Sequence, residues 1–209
     1  MGADPDLEHL VRRAATLARR PGRAVLGITG PPGVGKSTLA ERLVTELAGD
    51  AAYLPMDGFH LAHRVLAELG RVDRKGAPDT FDAAGYVAVL RRLRDPREGF
   101  VYAPRFARDI EDPIAGAIPV GPSVPLVITE GNYLLLPDGP WAQVRPLLDE
   151  VWYLDLPEPA RLQRLIDRHM AFGRDAAQAR ARATGSDQRN ATLIEASRNR
   201  ADLVVALAG

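Results

Sequence analysis

Residues 30–37 have the types and the spacing of a phosphate-binding loop. Gly30, Gly35, Lys36 and Ser37 occupy the fixed positions of the pattern G-x-x-x-x-G-K-[ST]. The glycines let the backbone turn with its N–H groups inward, and the following helix N-terminus completes a cradle for an anion. We expect Lys36 to reach the β- and γ-phosphates of ATP and the Ser37 hydroxyl to hold Mg²⁺. The predicted nucleotide-binding residues of the loop are Gly30, Pro31, Pro32, Gly33, Val34, Gly35, Lys36, Ser37 and Thr38.

Two carboxylates follow apolar runs that resemble buried strands. Asp57 comes after residues 51–55, and Glu130 comes after residues 125–129. In an open α/β sheet the ligand lies beyond the carboxyl ends of the strands. Transfer of a phosphoryl group needs a base for the attacking hydroxyl and oxygen ligands for magnesium. Asp57 is therefore the predicted base, and Glu130 is predicted to bind magnesium or orient a substrate. The alternative for each is a helix cap or turn residue.

The elements that would position these groups alternate along the chain. Apolar runs typical of strands are separated by helical patterns, which favours an α/β fold with a parallel sheet covered on both faces. The length of 209 residues favours a single domain over 1–209. Residues 95–120 are rich in Pro, Gly and charge and are predicted to form an irregular loop. The predicted strands are 24–29, 51–55, 125–129, 151–155 and 203–207, and one helix is predicted near 141–149.

The composition excludes several other classes of protein. Acidic and basic residues balance at 27 each, so no net positive field favours nucleic acid or a membrane surface. The chain has no cysteine, which excludes disulfides and thiolate metal sites and fits the cytoplasm. No stretch approaches the ~18 consecutive apolar residues of a membrane span. The expected partner is a small-molecule acceptor, with no nucleic acid and no membrane, and a homodimer is left open.

Lysine is nearly absent from the chain. Of 27 basic residues only Lys36 and Lys75 are lysines. Lys36 is explained by the need for a compact charge at the phosphates, where a planar guanidinium fits poorly. Lys75 is interpreted either as a specific polar contact or as a solvated loop charge.

Several segments together resemble the uridine kinase, type I pantothenate kinase and phosphoribulokinase group of P-loop kinases. They are the phosphate loop, D-G-F-H at 57–60, R-K-G-A-P-D-T-F-D at 74–82, Y-A-P-R at 102–105 and E-G-N-Y at 130–133. The resemblance implies a P-loop NTPase three-layer fold whose five-stranded parallel sheet has the order 2-3-1-4-5. It implies that loops at about 57–82 and 96–120 lie on the acceptor side. The substrate-binding residues predicted on this basis are Asp57, His60, Lys75, Asp79, Tyr102, Arg105 and Glu130.

The chain also departs from the patterns of individual members of the group. Arg105 stands in the neighbourhood where pantothenate kinases carry a histidine. Gly58 and His60 stand where uridine kinases usually have serine and tyrosine. The resemblance therefore leaves the acceptor open among a nucleoside, a pantothenate-like molecule and a sugar.

An arginine-rich segment at about 158–186 is predicted to form a helical lid. Arg161, Arg164 and Arg168 recur at helical spacing, with Leu165 and Ile166 on the opposite side. The resemblance makes this segment the lid over the phosphates, with Arg164 and Arg168 binding the nucleotide and Arg168 contributing to catalysis. The alternative is a solvated helix face.

Taken together, the sequence predicts ATP- and Mg²⁺-dependent transfer of the γ-phosphate to a hydroxyl of a small metabolite. A nucleotide-hydrolysing switch or chaperone is the alternative, although the chain lacks the N-K-x-D motif of guanine-specific switches. A nucleotide-binding protein without catalysis is disfavoured by intact Lys36, Ser37, Asp57 and Glu130. The sequence assigns no role to Asp187 and Asn190.

Overall fold

A parallel β-sheet forms the centre of the protein in a computed structural model that describes residues 5–207. The strands of this region are β1 (Ala24–Thr29), β2 (Ala51–Pro55), β3 (Val101–Ala107), β4 (Asp112–Val120), β5 (Leu126–Glu130), β6 (Glu150–Asp155) and β7 (Leu203–Ala206). Five of them form one sheet in the order β2-β5-β1-β6-β7, and all neighbours are parallel. Without β3 and β4 this is the predicted order 2-3-1-4-5, so the α/β fold is confirmed.

Helices cover both faces of this sheet. In the described region they are α1 (Pro5–Ala18), α2 (Lys36–Glu46), α3 (His63–Glu68), α4 (Ala83–Arg94), α5 (Glu158–Ala171), α6 (Ala176–Thr184) and α7 (Ser186–Glu195). Helices α1 and α2 pack on one face and α4 packs on the other. No helix in residues 5–207 is both long enough and apolar enough to cross a membrane.

The strands of the sheet contribute side chains to two hydrophobic cores, because alternate side chains point to opposite faces of the sheet. Val25 and Val127 pack with α4 on one side, whereas Leu26 and Ile128 pack with α1 and α2 on the other. Strands β1 and β5 are buried along their full length. This burial on both faces explains why the sequence shows them as continuous apolar runs rather than as alternating patterns.

Strands β3 and β4 form an antiparallel hairpin, so the prediction of an irregular loop at 95–120 is wrong. Three prolines within the strands, Pro104, Pro113 and Pro119, obscured the pattern. Proline is tolerated here because each strand of a two-stranded ribbon has one free edge, where a missing N–H breaks no ladder bond. Inward residues of the hairpin, such as Val101 and Val120, join the core on the α4 side.

The prediction of a helix near 141–149 is also wrong. Two short 3₁₀ turns, Gly139–Gln143 and Arg145–Leu147, occupy this region. Pro146 interrupts the apolar pattern, and a proline removes one backbone donor and clashes with the preceding turn of an α-helix. Trp141 is buried, and its indole nitrogen donates to the carbonyl of Pro78 at 3.1 Å. The segment therefore holds the 72–80 loop in place without forming a helix.

Gly58 sits directly beneath the hairpin, in the turn that follows β2. A Cβ atom at this position would lie 2.2 Å from the carbonyl oxygen of Pro104 and 2.6 Å from its carbon. The obstruction is backbone rather than a flexible side chain, so relief would require the hairpin to move. The close approach fixes the distance between β3 and the end of β2.

We expect Gly58→Ala to lower the free energy of unfolding by about 1–3 kcal/mol, as overpacking of a tight contact does. Gly99→Ala is the matched control, because a Cβ atom there meets nothing within 4 Å. Thermal or urea unfolding of the two variants measures the difference. Equal stability of both would show that the hairpin is not held by this contact.

Candidate active site

The phosphate loop joins β1 to α2 and requires glycine for two separate reasons. Gly30, Gly33 and Gly35 have φ values of 145°, 85° and 103°, a region that L side chains rarely adopt. A Cβ atom on Gly30 would lie 2.6 Å from the carbonyl oxygen of Leu154, and one on Gly33 would lie 2.6 Å from Cγ of Leu165. The loop is thus shaped both by its own backbone and by the elements packed on it.

The side chain of Lys36 folds back into the phosphate loop and bonds its backbone. Its side chain is buried, and Nζ donates to the carbonyl oxygens of Gly30 at 2.9 Å and Pro31 at 3.2 Å. Burial lowers the pKa of Lys36 to about 8, while the nearby carboxylates of Glu130 and Asp57 oppose that shift. Phosphate groups in the loop would favour the charged form further, since opposite charge stabilises an ammonium.

Glu130 is the buried carboxylate at the mouth of the loop. Its Oε1 accepts hydrogen bonds from the Ser37 hydroxyl at 3.1 Å and from the Tyr53 hydroxyl at 2.8 Å. Burial raises the pKa of Glu130, the Asp57 charge adds to that rise, and Lys36 opposes it. Glu130 therefore lies between the loop and the end of β2.

The sheet register explains how Tyr53 reaches Glu130. On neighbouring parallel strands, Tyr53 pairs with Ile128, and Pro55 pairs with Glu130. Tyr53 and Glu130 are thus diagonal neighbours, a separation that a long aromatic side chain can span. Tyr53 was not among the residues predicted from the sequence. Because it lies two positions before Pro55 on β2, it points to the same face of the sheet as Pro55, and this alternation was the available signal.

The residues at the loop fit Mg²⁺. The Ser37 hydroxyl and the Glu130 carboxylate are hard oxygen donors, which this cation prefers. Residues 5–207 contain no group of three or more His, Asp or Glu side chains that could hold a metal by themselves. A pair of protein oxygens suits a cation whose other ligands are phosphate oxygens and water.

Asp57 lies between two cavities. It belongs to a short 3₁₀ turn, Met56–Phe59, that begins directly after β2. Its side chain lines a cavity of about 300 Å³ together with Ser37 and Glu130, and it also lines a larger cavity of about 580 Å³. One carboxylate therefore borders both the phosphate-loop side and the space available to a second substrate.

The larger cavity has walls from three parts of the chain. The phosphate loop contributes Pro32 to the wall, and the acceptor-side segment contributes His60 and Lys75. The arginine-rich segment contributes Arg168 and Arg174. Its volume is that of an ordinary small-molecule site. The predicted residues Asp57, His60, Lys75 and Arg168 are brought together here.

Lys75 forms part of the cavity wall and is not a solvated charge. Its side chain is only 16% exposed, and Nζ lies 3.3 Å from Oε2 of Glu111 at the hairpin tip. Nζ also donates to the Glu111 carbonyl oxygen at 2.6 Å and lies 5.0 Å from the ring centroid of Phe106. These contacts connect the acceptor-side segment to the hairpin.

Four predicted substrate-binding residues do not line the larger cavity, and one of them, Glu130, lines only the smaller one. Asp79 pairs with Arg71 at 3.4 Å and Arg74 at 2.8 Å. Tyr102 is exposed on the outer face of β3, because Val101 and Ala103 are the residues that point inward. Arg105 lines the smaller cavity. Arg105 and Glu130 thus stay on the side of the phosphate loop, where the smaller cavity also borders Ser37, whereas Asp79 and Tyr102 line neither cavity.

The spacing of the three arginines of α5 predicted one shared face. In the structure their side chains lie in different environments. Arg161 is buried and donates to the Pro32 carbonyl oxygen at 3.3 Å and to Gln188. Arg164 is exposed and lines neither of the two cavities, whereas Arg168 is exposed in the wall of the larger one. Arg161 therefore fixes α5 on the phosphate loop, and Arg168 is placed to meet a ligand.

Asp187 and Asn190 also line the larger cavity, a location the sequence did not predict. Both are buried on α7. Oδ2 of Asp187 lies 2.7 Å from Nε2 of His169, and Nδ2 of Asn190 donates to the Gly76 carbonyl oxygen at 3.3 Å. Their spacing of three residues, which places two side chains on one face of a helix, was the available signal.

The model of one protein family matches residues 6–53. It describes the methylmalonyl Co-A mutase-associated GTPase MeaB. The match spans the phosphate loop and the elements around it, which is less than a quarter of the chain. It therefore indicates a shared nucleotide-binding segment and nothing about the rest of the protein.

Relatives of known name match much more of the chain. A Schizosaccharomyces pombe protein that carries the name of a uridine kinase is 34% identical over 95% of this chain and 89% of its own. A pantothenate kinase of Enterococcus faecalis is 30% identical over 63% of this chain, which spans 48% of that enzyme. A solved Silicibacter structure described as a fructose transport system kinase is 38% identical, has a TM-score of 0.87 and covers 98% of this chain and 100% of its own.

Tyr53→Phe should weaken magnesium-dependent nucleotide binding, because Glu130 loses the donor that orients its carboxylate beside Ser37. A hydrogen bond to a charged group is worth about 1.5–3 kcal/mol, so the loss should be roughly ten-fold or more. Calorimetric titration with ADP, with and without Mg²⁺, separates this effect from simple loss of nucleotide affinity. Tyr153→Phe on β6 is the matched control, and an unchanged magnesium dependence in Tyr53→Phe would remove Tyr53 from the site.

Proposed function

The chain belongs to the P-loop kinases of the uridine kinase and pantothenate kinase group, and from that premise we propose that it transfers the γ-phosphate of ATP to a hydroxyl group of a small metabolite. The observation that carries the proposal is the position of Asp57. Its carboxylate borders both the cavity beside Ser37 and Glu130 and the 580 Å³ cavity beyond. A base between the two substrates is what the transfer requires.

The reaction would be an in-line displacement at the γ-phosphorus. The acceptor oxygen forms a bond to phosphorus, the bond to the bridging oxygen of ADP breaks, and the hydroxyl proton passes to Asp57. Lys36 and the inward N–H groups of the loop would stabilise negative charge on the phosphate oxygens. Mg²⁺ bound at Ser37 and Glu130 would neutralise further phosphate charge.

The arginine-rich segment at about 158–186 would act as the lid of a single kinase domain spanning 1–209. Arg168 and Arg174 are exposed on the cavity wall, and neither pairs with a carboxylate in the part of the chain described. Free guanidinium groups beside a phosphate loop suit the charge that develops during transfer. Closure would also exclude water, which could otherwise attack ATP.

The names of the relatives suggest different acceptors, namely uridine, pantothenate and fructose. ATP consumption in the presence of nucleosides, pantothenate, ketohexoses, glycerate and pentose phosphates would test the proposal. Stimulation by one acceptor, with formation of its phosphate ester, is the expected result. Slow nucleotide hydrolysis that no acceptor stimulates would favour the switch or chaperone alternative.

Asp57→Asn should retain nucleotide binding and lose transfer. Loss of a general base typically costs 10²–10⁴-fold, so we expect kcat to fall by roughly 10²-fold or more. The measurement is kcat with a saturating acceptor, together with the Kd for ATP. A variant with normal kcat and weakened ATP binding would instead make Asp57 a ligand of the metal.

Arg168→Ala should reduce kcat by about 10²–10³-fold with little change in ATP affinity, by analogy with other preorganised donors. Arg164→Ala is the matched control on the same helix, because Arg164 is exposed and lines neither cavity. Steady-state kinetics of the two variants, with thermal unfolding to check folding, provides the comparison. Identical kinetics in both would require the phosphate-clamping arginine to be sought at Arg174 or Arg105.

A further inference from the structure

Four arginines in the wall of the larger cavity have no carboxylate partner within residues 5–207. They are Arg108, Arg168, Arg174 and Arg182. The one lysine of the wall, Lys75, is paired with a carboxylate at the hairpin tip. The wall therefore carries positive charge that the described part of the protein does not neutralise.

The carboxylates of the same wall add little unpaired negative charge. Glu111 is paired with Lys75, and Oδ2 of Asp187 lies 2.7 Å from Nε2 of His169. Among the lining carboxylates of the described region, Asp57 alone bonds no other side chain. The proposed reaction assigns that carboxylate to the hydroxyl of the acceptor. An anionic group elsewhere in the cavity would therefore meet unpaired arginines rather than unpaired carboxylates.

Arg182, on α6, is held at the acceptor end of the cavity. Its Nη1 donates to the carbonyl oxygen of Asp73 at 3.2 Å, and its Nη2 donates to that of Lys75 at 2.6 Å. Both carbonyls belong to the acceptor-side segment, so the two bonds fix the guanidinium beside that segment. Arg168 and Arg174 lie earlier in the arginine-rich segment and are the side chains proposed to meet the phosphates of ATP.

The two carbonyl contacts leave the charge of Arg182 uncompensated, because a backbone carbonyl is a neutral acceptor. The remaining donor, Nε–H, is buried and has no hydrogen-bond partner among the described residues. A poorly solvated charge without a counter-charge costs free energy, and a buried donor without an acceptor is rare in native proteins. An anionic group of a ligand beside Arg182 would supply the missing counter-charge.

Arginine is the side chain best suited to a carboxylate or a phosphate, because its planar N–H groups match the spacing of their oxygens. The attraction is also stronger in a partly closed cavity than in water. Asp57 and Arg182 come from different elements and lie at different places in the wall. Building on the proposed function, we infer that the acceptor carries a carboxylate or phosphate group in addition to its hydroxyl, with the hydroxyl at Asp57 and the anionic group at Arg182.

Matched acceptor pairs test this inference in the parent protein. Each pair compares an anionic compound with a neutral analogue: D-fructose 6-phosphate with D-fructose, D-ribose 5-phosphate with D-ribose, pantothenate with pantothenol, and glycerate with glycerol. In the pair that is phosphorylated, we expect kcat/KM to be roughly ten-fold or more higher for the anionic member, because the neutral member lacks the charged partner of Arg182. The first two pairs test a phosphate and the last two a carboxylate, so the result also shows which anion is bound. An equal or higher kcat/KM for the neutral member, or transfer to an unphosphorylated nucleoside, would overturn the inference and leave the proposed kinase reaction intact.

Arg182→Gln supplies a readout that a purely structural role would not move. It removes the positive charge, so it should lower kcat/KM for the anionic member roughly ten-fold or more and change that for the neutral member much less. A general disturbance of α6 would lower both by the same factor. Arg182→Lys keeps the charge and should retain part of the preference. Arg180→Gln, at an exposed position of the same helix, is the matched control and should keep the parent ratio.

The outcomes separate the inference from the proposed function. An anionic-to-neutral ratio of kcat/KM that stays at the parent value in Arg182→Gln would refute the role of Arg182. The ratio in the parent protein tests the class of acceptor whether or not a variant folds, and thermal unfolding checks the folding of each variant. Hydrolysis of ATP without transfer to any compound would instead refute the proposed function, and the inference with it.

Discussion

The register of the central sheet is the constraint on which the candidate site depends. Strand β5 pairs with β1 on one side and with β2 on the other, and Glu130 lies opposite both Ile28 and Pro55. This register places the C-terminal ends of β1, β2 and β5 side by side. The phosphate loop, Glu130 and the turn that contains Asp57 therefore lie close together at that edge of the sheet. A slip of one residue in β5 would turn Glu130 to the opposite face, away from Ser37 and Tyr53. The hydrophobic cores on both faces resist such a slip, since every buried side chain would also change faces.

The hairpin shares the hydrophobic core on the α4 side, but its tip and helix α6 reach the loop of residues 72–80 through polar contacts. The hairpin meets the 72–80 loop through Lys75 and Glu111, and α6 meets the same loop through Arg182. Helices α5 and α6 share only a small cluster of buried apolar residues. Contacts of this kind are individually modest in energy. The sheet thus provides a stable platform, while the walls of the cavity are held more weakly.

The sequence was most informative where burial dictates pattern. Strands β1, β2, β5 and β6 were predicted to within about one residue, because long apolar runs admit few other interpretations. The phosphate loop, Asp57 and Glu130 followed from their positions at strand ends. The hairpin was missed because its prolines and charges resemble those of a loop, whereas its strand pairing, its buried valines and its close contact with Gly58 are tertiary features that order it. Asp79 and Tyr102 were grouped with the acceptor by motif, but local pairing and strand alternation place them elsewhere. Asp187 and Asn190 belong to no motif that pointed to the cavity, and it is the packing of α7 in the folded chain that brings them to its wall.

The contact between α5 and the phosphate loop has a thermodynamic consequence. Gly33 lies against Leu165, and Arg161 bonds the carbonyl of Pro32, so the conformation of the loop is coupled to the packing of α5. Any ligand that orders the loop must also stabilise the three-helix segment that α5 begins, and the coupling free energy acts equally in the reverse direction. The small apolar cluster around Ala179 and Ala183 thereby becomes an indirect determinant of nucleotide affinity, although neither residue borders the cavity. Sequence drift in that cluster could tune the enzyme to a different cellular ATP concentration while every residue of the phosphate loop stayed the same.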